Sequence, residues 1–225
     1  MAAKMDKHEL DEPDKLQLFF LRKRAFAEKH RTKIYAGGGI FILIVLLAGG
    51  WYIYREHYQI SAGKILNQIF EAAAKAGSPA GEMAAIKEYK ELISQYPRSR
   101  AAVTAYYRLG NLYSGRREYD SAISAYQDFL RNTSAESDLM TLAYSGLGAS
   151  QEAKNDLNKA LDAYDMAMKT RSAPSFEALN YSNIARIYEA KNDPVKATEF
   201  YRKALDKTTD PLMTLYLKRK LAILG

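Results

Sequence analysis

Apolar positions along this chain follow two rhythms. From Ile34 to Tyr54 the run IYAGGGIFILIVLLAGGWYIY holds no charge, no proline and no strong polar group over 21 residues. Beyond Arg55, apolar side chains recur three and four residues apart, and polar turns interrupt them at short intervals. The first rhythm predicts a bilayer-spanning helix, because at about 1.5 Å rise per residue it reaches roughly 31 Å, the thickness of the hydrocarbon core. Tyr35 marks one end, and Trp51, Tyr52 and Tyr54 mark the other, where amphipathic rings sit at headgroup depth. The second rhythm predicts an array of amphipathic helices.

The flanks refine the first prediction. Thirty-three residues precede the run and the bulky YIYREHYQI overlaps and follows its end, unlike a cleaved signal peptide. An uncleaved anchor is expected. Arg22, Lys23, Arg24, Lys29, Arg31 and Lys33 lie within 15 residues on the N-terminal side, against Arg55 and Lys64 on the other. The positive-inside bias places the N-terminus in the cytoplasm and the rest outside it. Residues 1–14 are polar and expected to fray. From Pro13 onward, Leu16, Phe19, Phe20 and Phe26 share a helical spacing, with Lys15, Arg22, Lys23 and Arg24 near the other side. This predicts a juxtamembrane amphipathic helix within a cytoplasmic segment 1–33, ahead of the span at 34–54 and a domain at 55–225.

The domain repeats itself. Tyr106, Leu109–Gly110, Tyr113, Ala122, Tyr126 and Phe129 are followed by Tyr144, Leu147–Gly148, Ala160, Tyr164 and Ala167. Tyr181, Ile184–Ala185, Tyr188, Ala197, Tyr201 and Ala204 come next. Ala122, Ala160 and Ala197 stand 38 and 37 residues apart. One period earlier lie Ala85, Tyr89 and Pro97, with Ile69, Ala72, Ala73 and Ala76 on a weaker partner helix. Small residues at Gly110, Gly148 and Ala185 allow antiparallel helices to approach closely. Tyr126, Tyr164 and Tyr201 then fill the gap to the next hairpin, so that stacking builds the core that no hairpin can bury alone. Ser78–Pro79, Asp193–Pro194 and Asp210–Pro211 each set an N-cap before proline at the first helical position. The turns at 115–120, 153–158 and 190–195 are polar, and Leu212, Leu215, Leu217 and Leu221 predict an amphipathic helix capping the array.

These residues resemble tetratricopeptide repeats, with their W-x2-L-G-x2-Y, A-x3-F and P pattern. The period is longer than the usual 34, implying longer turns, and the terminal proline survives only near Pro97 and Pro211. The expected fold is all-α: one transmembrane helix, then a tetratricopeptide-like α-solenoid of about four helical hairpins plus a capping helix.

Composition narrows function mainly by exclusion. The net charge is +7, but residues 55–225 carry 24 basic and 20 acidic residues that alternate in sign. No basic stripe for nucleic acid is visible. There is no cysteine, and the three histidines, His8, His30 and His57, all precede the repeats. The repeats therefore lack the usual zinc sets and the Ser-His and Cys-His nucleophile pairs. No Gly-rich phosphate loop appears, and Asp162 and Asp165 read as solvated charges. A non-catalytic chain without cofactor or metal is expected.

What remains is a surface. In a solenoid of this kind the first helix of each repeat lines the concave side, where peptides dock. The pattern projects Tyr107, Asn111, Ser145, Glu152, Ser182, Arg186 and Glu189 onto a peptide-binding groove. Tyr107 and Ser145 stand where chaperone-tail-binding repeats carry a basic clamp, which argues against that mode. The layout resembles the YfgM-like family of the ancillary SecYEG translocon subunit. Phe19–Phe20 with Arg22–Arg24, the glycine-containing span with Trp51–Tyr52, and the helix from Arg55 through Ala76 carry this likeness. It implies an inner-membrane protein with a periplasmic domain that works with translocon subunits and periplasmic chaperones on exported chains. An alternative is a scaffold for an envelope complex in pilus assembly, division or outer-membrane biogenesis.

Overall fold

The structure, a computed structural model, describes residues 15–76, 78–134 and 139–225; the polar start at 1–14, expected to fray, lies outside them. Ten α-helices and one 3-10 turn account for the described residues, with no strand among them. They are α1 (Lys15–Lys29), α2 (Arg31–Ala76), α3 (Pro79–Gln95), α4 (Arg100–Gly115), α5 (Tyr119–Asn132), α6 (Leu139–Ala153), α7 (Leu157–Met168), α8 (Glu177–Ala190), α9 (Pro194–Lys207) and α10 (Pro211–Leu224), with the 3-10 turn at Ala173–Phe176. By compactness the chain divides into two units, residues 1–57 and 58–225.

In the first unit, α1 exposes Leu16, Phe19, Phe20 and Phe26. Lys23 Nζ lies 5.4 Å from the centre of the Phe19 ring. The apolar run falls within α2, with Ile40 through Leu47 and Trp51 through Tyr54 all exposed. It is the one helix among the described residues long and apolar enough to cross a membrane.

The second unit is the repeat array. Its hairpins are α4/α5, α6/α7 and α8/α9, preceded by α3 packed on α4 and followed by α10 against α9. Of the weak first repeat, Ile69 is buried and Ala73 half-buried in the cluster that holds Ala85, Tyr89 and Leu92 of α3, whereas Ala72 is exposed and Ala62 contributes to the cluster instead. The Gln59 side chain also ties α2 to the start of α4, with Nε2 donating to the Arg98 carbonyl at 3.3 Å and Oε1 accepting from the Arg100 amide at 2.9 Å. The three Xaa-Pro starts behave as the cap chemistry requires. Ser78 accepts from the Gly81 amide, Asp193 from Lys196, and Asp210 from Leu212 and Met213.

Three intra-hairpin turns share one conformation. Arg117, Asn155 and Asn192 have φ of 61°, 64° and 57°. The following amides of Glu118, Asp156 and Asp193 reach back to the carbonyls of Tyr113, Gln151 and Tyr188 at 2.9, 2.8 and 2.9 Å. Each turn is thus a Schellman closure, in which a left-handed residue satisfies the last carbonyls of the first helix. These turns are short, and the extra length of the 37–38 period falls between hairpins, as in residues 169–176 between α7 and α8.

The second-helix tyrosines set the hairpin spacing. A Cβ placed on Gly110 would come within 2.6 Å of the Tyr126 ring, and one on Gly146 within 2.5 Å of the same ring. Tyr126 therefore lies between α4 of its own hairpin and α6 of the next. A Cβ on Gly148 would meet Tyr164 at 2.9 Å. Tyr126, Tyr164 and Tyr201 are all buried.

The capping helix departs from expectation in one respect. Leu217 is fully buried and Leu221 packs beside it, but Leu212 and Leu215 are exposed. The buried stripe of α10 is completed instead by Met213 and Leu224. The cause is angular, because Leu212 and Leu215 project about 140° and 160° away from Leu217 at 100° per residue.

Candidate functional site

The first helices approach one another along the array, α4 to α6 and α6 to α8, with no comparable approach between α5 and α7 or between α7 and α9. This puts α4, α6 and α8 on the inner side of the curve, the side expected to hold the groove. All seven expected groove residues lie on these helices, but several are engaged with neighbouring side chains.

A ladder of polar contacts joins successive hairpins there. Tyr126 donates its phenol to Asn111 Oδ1 at 2.7 Å. One hairpin on, Tyr164 donates to Glu152 Oε2 at 3.2 Å. The same carboxylate receives Arg186 from α8 in a forked pair, Nε to Oε1 at 2.6 Å and Nη2 to Oε2 at 2.7 Å. Arg186 Nη1 also donates to Asn183 Oδ1 at 3.1 Å. In the last rung Tyr201 donates to Glu189, which also accepts Lys220 of α10 at 2.9 and 3.1 Å. The first rung is a phenol on an amide; the next two each combine a phenol from the second helix, a carboxylate from the first, and a cation from the element that follows, α8 or α10.

The electrostatics follow from this arrangement. Burial, reinforced by the adjacent Glu152, raises the Tyr164 phenol well above its ordinary range. Burial and the hydrogen bond to Glu189 do the same to Tyr201, and burial raises Tyr126. The Glu152 hydrogen bond holds Arg186 more firmly charged. Tyr107 packs its ring 5.7 Å from Phe129 and 6.2 Å from Tyr126. Ser145 Oγ bonds Asn180 Oδ1 at 2.8 Å across to α8, and Ser182 is buried. Asn111 remains exposed at the inner surface, while Glu152, Arg186 and Glu189 are half-buried.

Two features of the site escaped the sequence pattern. Lys220 stands 34 residues after Arg186, one ordinary repeat period, and that spacing could have paired it with Glu189. Ala149 is the exposed inner-face equivalent of Asn111 and Arg186, at spacings of 38 and 37. An alanine offers no chemistry to notice, so nothing in its identity marked it. Leu179, two residues into α8, is the other open apolar position on this side.

The family described as "Tetratricopeptide repeat-like domain" matches residues 24–225. The chain belongs to this tetratricopeptide repeat-like family. Its tetratricopeptide-like unit is similar in fold to solved structures of MamA. One shares 18% identity at a TM-score of 0.58, covering 72% of this chain and 81% of that one. Another shares 19% at 0.56, covering 68% and 81%. A third, MamA residues 41 to end from Desulfovibrio magneticus RS-1, shares 16% at 0.52, covering 63% and 75%. At these identities the likeness shows the fold alone. No curated protein matches the chain. A tetratricopeptide-like solenoid is a protein-interaction scaffold, typically without catalytic groups of its own.

Proposed function

We propose that this chain is a membrane-tethered, non-catalytic adaptor that holds other proteins on its solenoid, outside the cytoplasmic face of a bacterial inner membrane. The observation that carries the tether is the uncovered apolar run of α2, Ile40 to Leu47, ending in the exposed rings of Trp51, Tyr52 and Tyr54. The lysine and arginine excess before it supports an N-terminus in the cytoplasm and a periplasmic repeat unit. The layout, with its Phe–Phe pair in a basic helix, one span and a repeat unit, supports work at the Sec translocon. There the adaptor assists protein export or periplasmic chaperoning. Its groove runs over Tyr107, Asn111, Ser145, Glu152, Ser182, Arg186 and Glu189. Because their polar groups are largely occupied by the ladder, a bound chain contacts the open positions Asn111, Ala149 and Leu179 and the face of Tyr107.

The test places a photo-crosslinking residue at Ala149 or Leu179 in the full chain, in cells. Adducts to translocon subunits, periplasmic chaperones and many exported chains are expected. One dominant envelope-complex protein would make the chain a fixed scaffold for pilus, division or outer-membrane assembly instead. Resistance of the repeat unit to protease in intact spheroplasts would overturn the periplasmic placement, and its release from membranes by alkaline carbonate would overturn the tether.

A further inference from the structure

The outer face of α10 is a second place where a partner could bind, distinct from the inner groove. Leu212, Leu215 and Ile223 are 77, 68 and 68% exposed. With Arg219 and Ala222 they stand at 212, 215, 219 and 222–223, the three-and-four spacing of a helix seam. This seam points opposite to Leu217, the residue by which α10 is buried against the array. Among the described residues, α10 packs on α9 and on the α8 side chains of the same buried cluster, and these leave the seam exposed. Leu212, Leu215 and Ile223 thus leave an exposed, largely apolar strip on α10 with Arg219 along it.

The charges on α10 identify what suits the seam. The helix carries Lys218, Arg219 and Lys220, and it contains no Asp or Glu. Lys220 is committed to Glu189. Lys218 and Arg219 are exposed on the seam and its edge, and neither is ion-paired among the described residues. An arginine at a central seam position calls for a carboxylate in the opposing helix. A second α10 cannot supply one, and pairing two copies would set Lys218 and Arg219 of each against the same two cations of the other. We infer that the outer face of α10 docks an amphipathic helix of another protein, one with leucine-type seam residues flanked by glutamate or aspartate. That helix packs on α10 as the second helix of a hairpin packs on its first, using Leu212, Leu215 and Ile223 as apolar anchors and Lys218 and Arg219 for orientation.

The probe is a synthetic helical peptide with leucines at seam positions and glutamates elsewhere, fluorescently labelled and titrated with the full chain in detergent. Saturable binding that weakens with salt is expected, with the lysine-for-glutamate version of the peptide binding at least about tenfold less. Leu215→Glu with Ile223→Glu should abolish binding without altering helix content or melting temperature, because both side chains are exposed. Lys218→Glu with Arg219→Glu should reverse the preference toward the lysine peptide. Equal binding of both peptides, or binding untouched by these substitutions, would overturn the proposal. So would a concentration-dependent dimer abolished by Leu215→Glu, which would make a second copy the occupant. Displacement of the peptide by anionic phospholipid vesicles, with direct vesicle binding lost in Lys218→Glu/Arg219→Glu, would assign the face to membrane lipid.

Discussion

At the scale of single residues, two kinds of position decide how the repeats close. The first is the glycine that admits a tyrosine ring. Gly110 and Gly146 lie on either side of Tyr126, and Gly148 lies against Tyr164, where a Cβ would overlap the ring. Gly146→Ala should therefore cost about 1–3 kcal/mol, since Tyr126 is wedged between two helices and cannot retreat. Gly115→Ala, which meets nothing within 4 Å, should be neutral or slightly stabilising. Urea unfolding of the two variants checks the contrast, and equal effects would contradict the wedge. The second kind is the left-handed turn residue. Asn155 and Asn192 suit it, but Arg117 occupies the same conformation with a long side chain. Arg117→Asn should raise stability by about 0.5–1 kcal/mol in the same assay. Gly110 and Gly148 were legible as close-approach residues because they recur at the repeat period. Gly146 reads from the sequence as repeat packing beside Leu147–Gly148, but its close approach does not, because that depends on the preceding hairpin's tyrosine and has no equivalent in the other repeats.

At the scale of elements, neighbouring hairpins are coupled by two recurring contacts. One joins the turn after a first helix to the start of the previous second helix: Lys154 pairs with Asp120, and Lys191 donates to Asn158. Both pairs are exposed at the surface and add little. The other is the inner ladder, where Arg186 and Glu152 are 39 and 20% exposed at the side chain. Arg186→Met should cost about 1–2 kcal/mol, between the values for exposed and buried pairs. Glu152→Gln combined with it should cost less than the two separately, as a double-mutant cycle in urea would show. Hydrogen exchange should rise in α8 to α10 more than in α4 and α5, because each hairpin is held mainly by its neighbours. Uniform acceleration along the array would mean that the ladder does not couple successive hairpins.

For the whole molecule, the buried phenols make stability depend on alkaline pH. An unfolded tyrosine ionises near 10, whereas Tyr89, Tyr126, Tyr164 and Tyr201 hold their protons above that in the folded chain, chiefly through burial. A raised folded value means that the contribution is intact below about pH 10 and is lost as pH climbs further, because only the unfolded chain then releases the protons easily. The melting temperature should hold to about pH 9.5 and fall beyond it, and phenolate absorbance from these four should appear together with loss of helix. Full tyrosine titration near 10 with helix content unchanged would sink this. The substitutions Tyr126→Phe and Tyr201→Phe should each make the alkaline decline shallower, at the cost of one ladder bond.

The sequence by itself determined the all-α class, the repeat period, the capped helix starts and the position of the apolar run. Each is a local property, carried by spacing along one helix or by chemistry within one turn. It also placed the seven expected groove residues on the inner helices, because a periodic array converts register in one repeat into register in all. Only the tertiary structure decided that Glu152, Arg186 and Glu189 engage other side chains in a ladder, since those partners come from the facing helix of the same hairpin or from the element before or after. It alone decided that α10 buries Leu217 and leaves Leu212 and Leu215 outward. An amphipathic pattern states that a helix has an apolar face; which apolar face is covered depends on where the preceding hairpin delivers it.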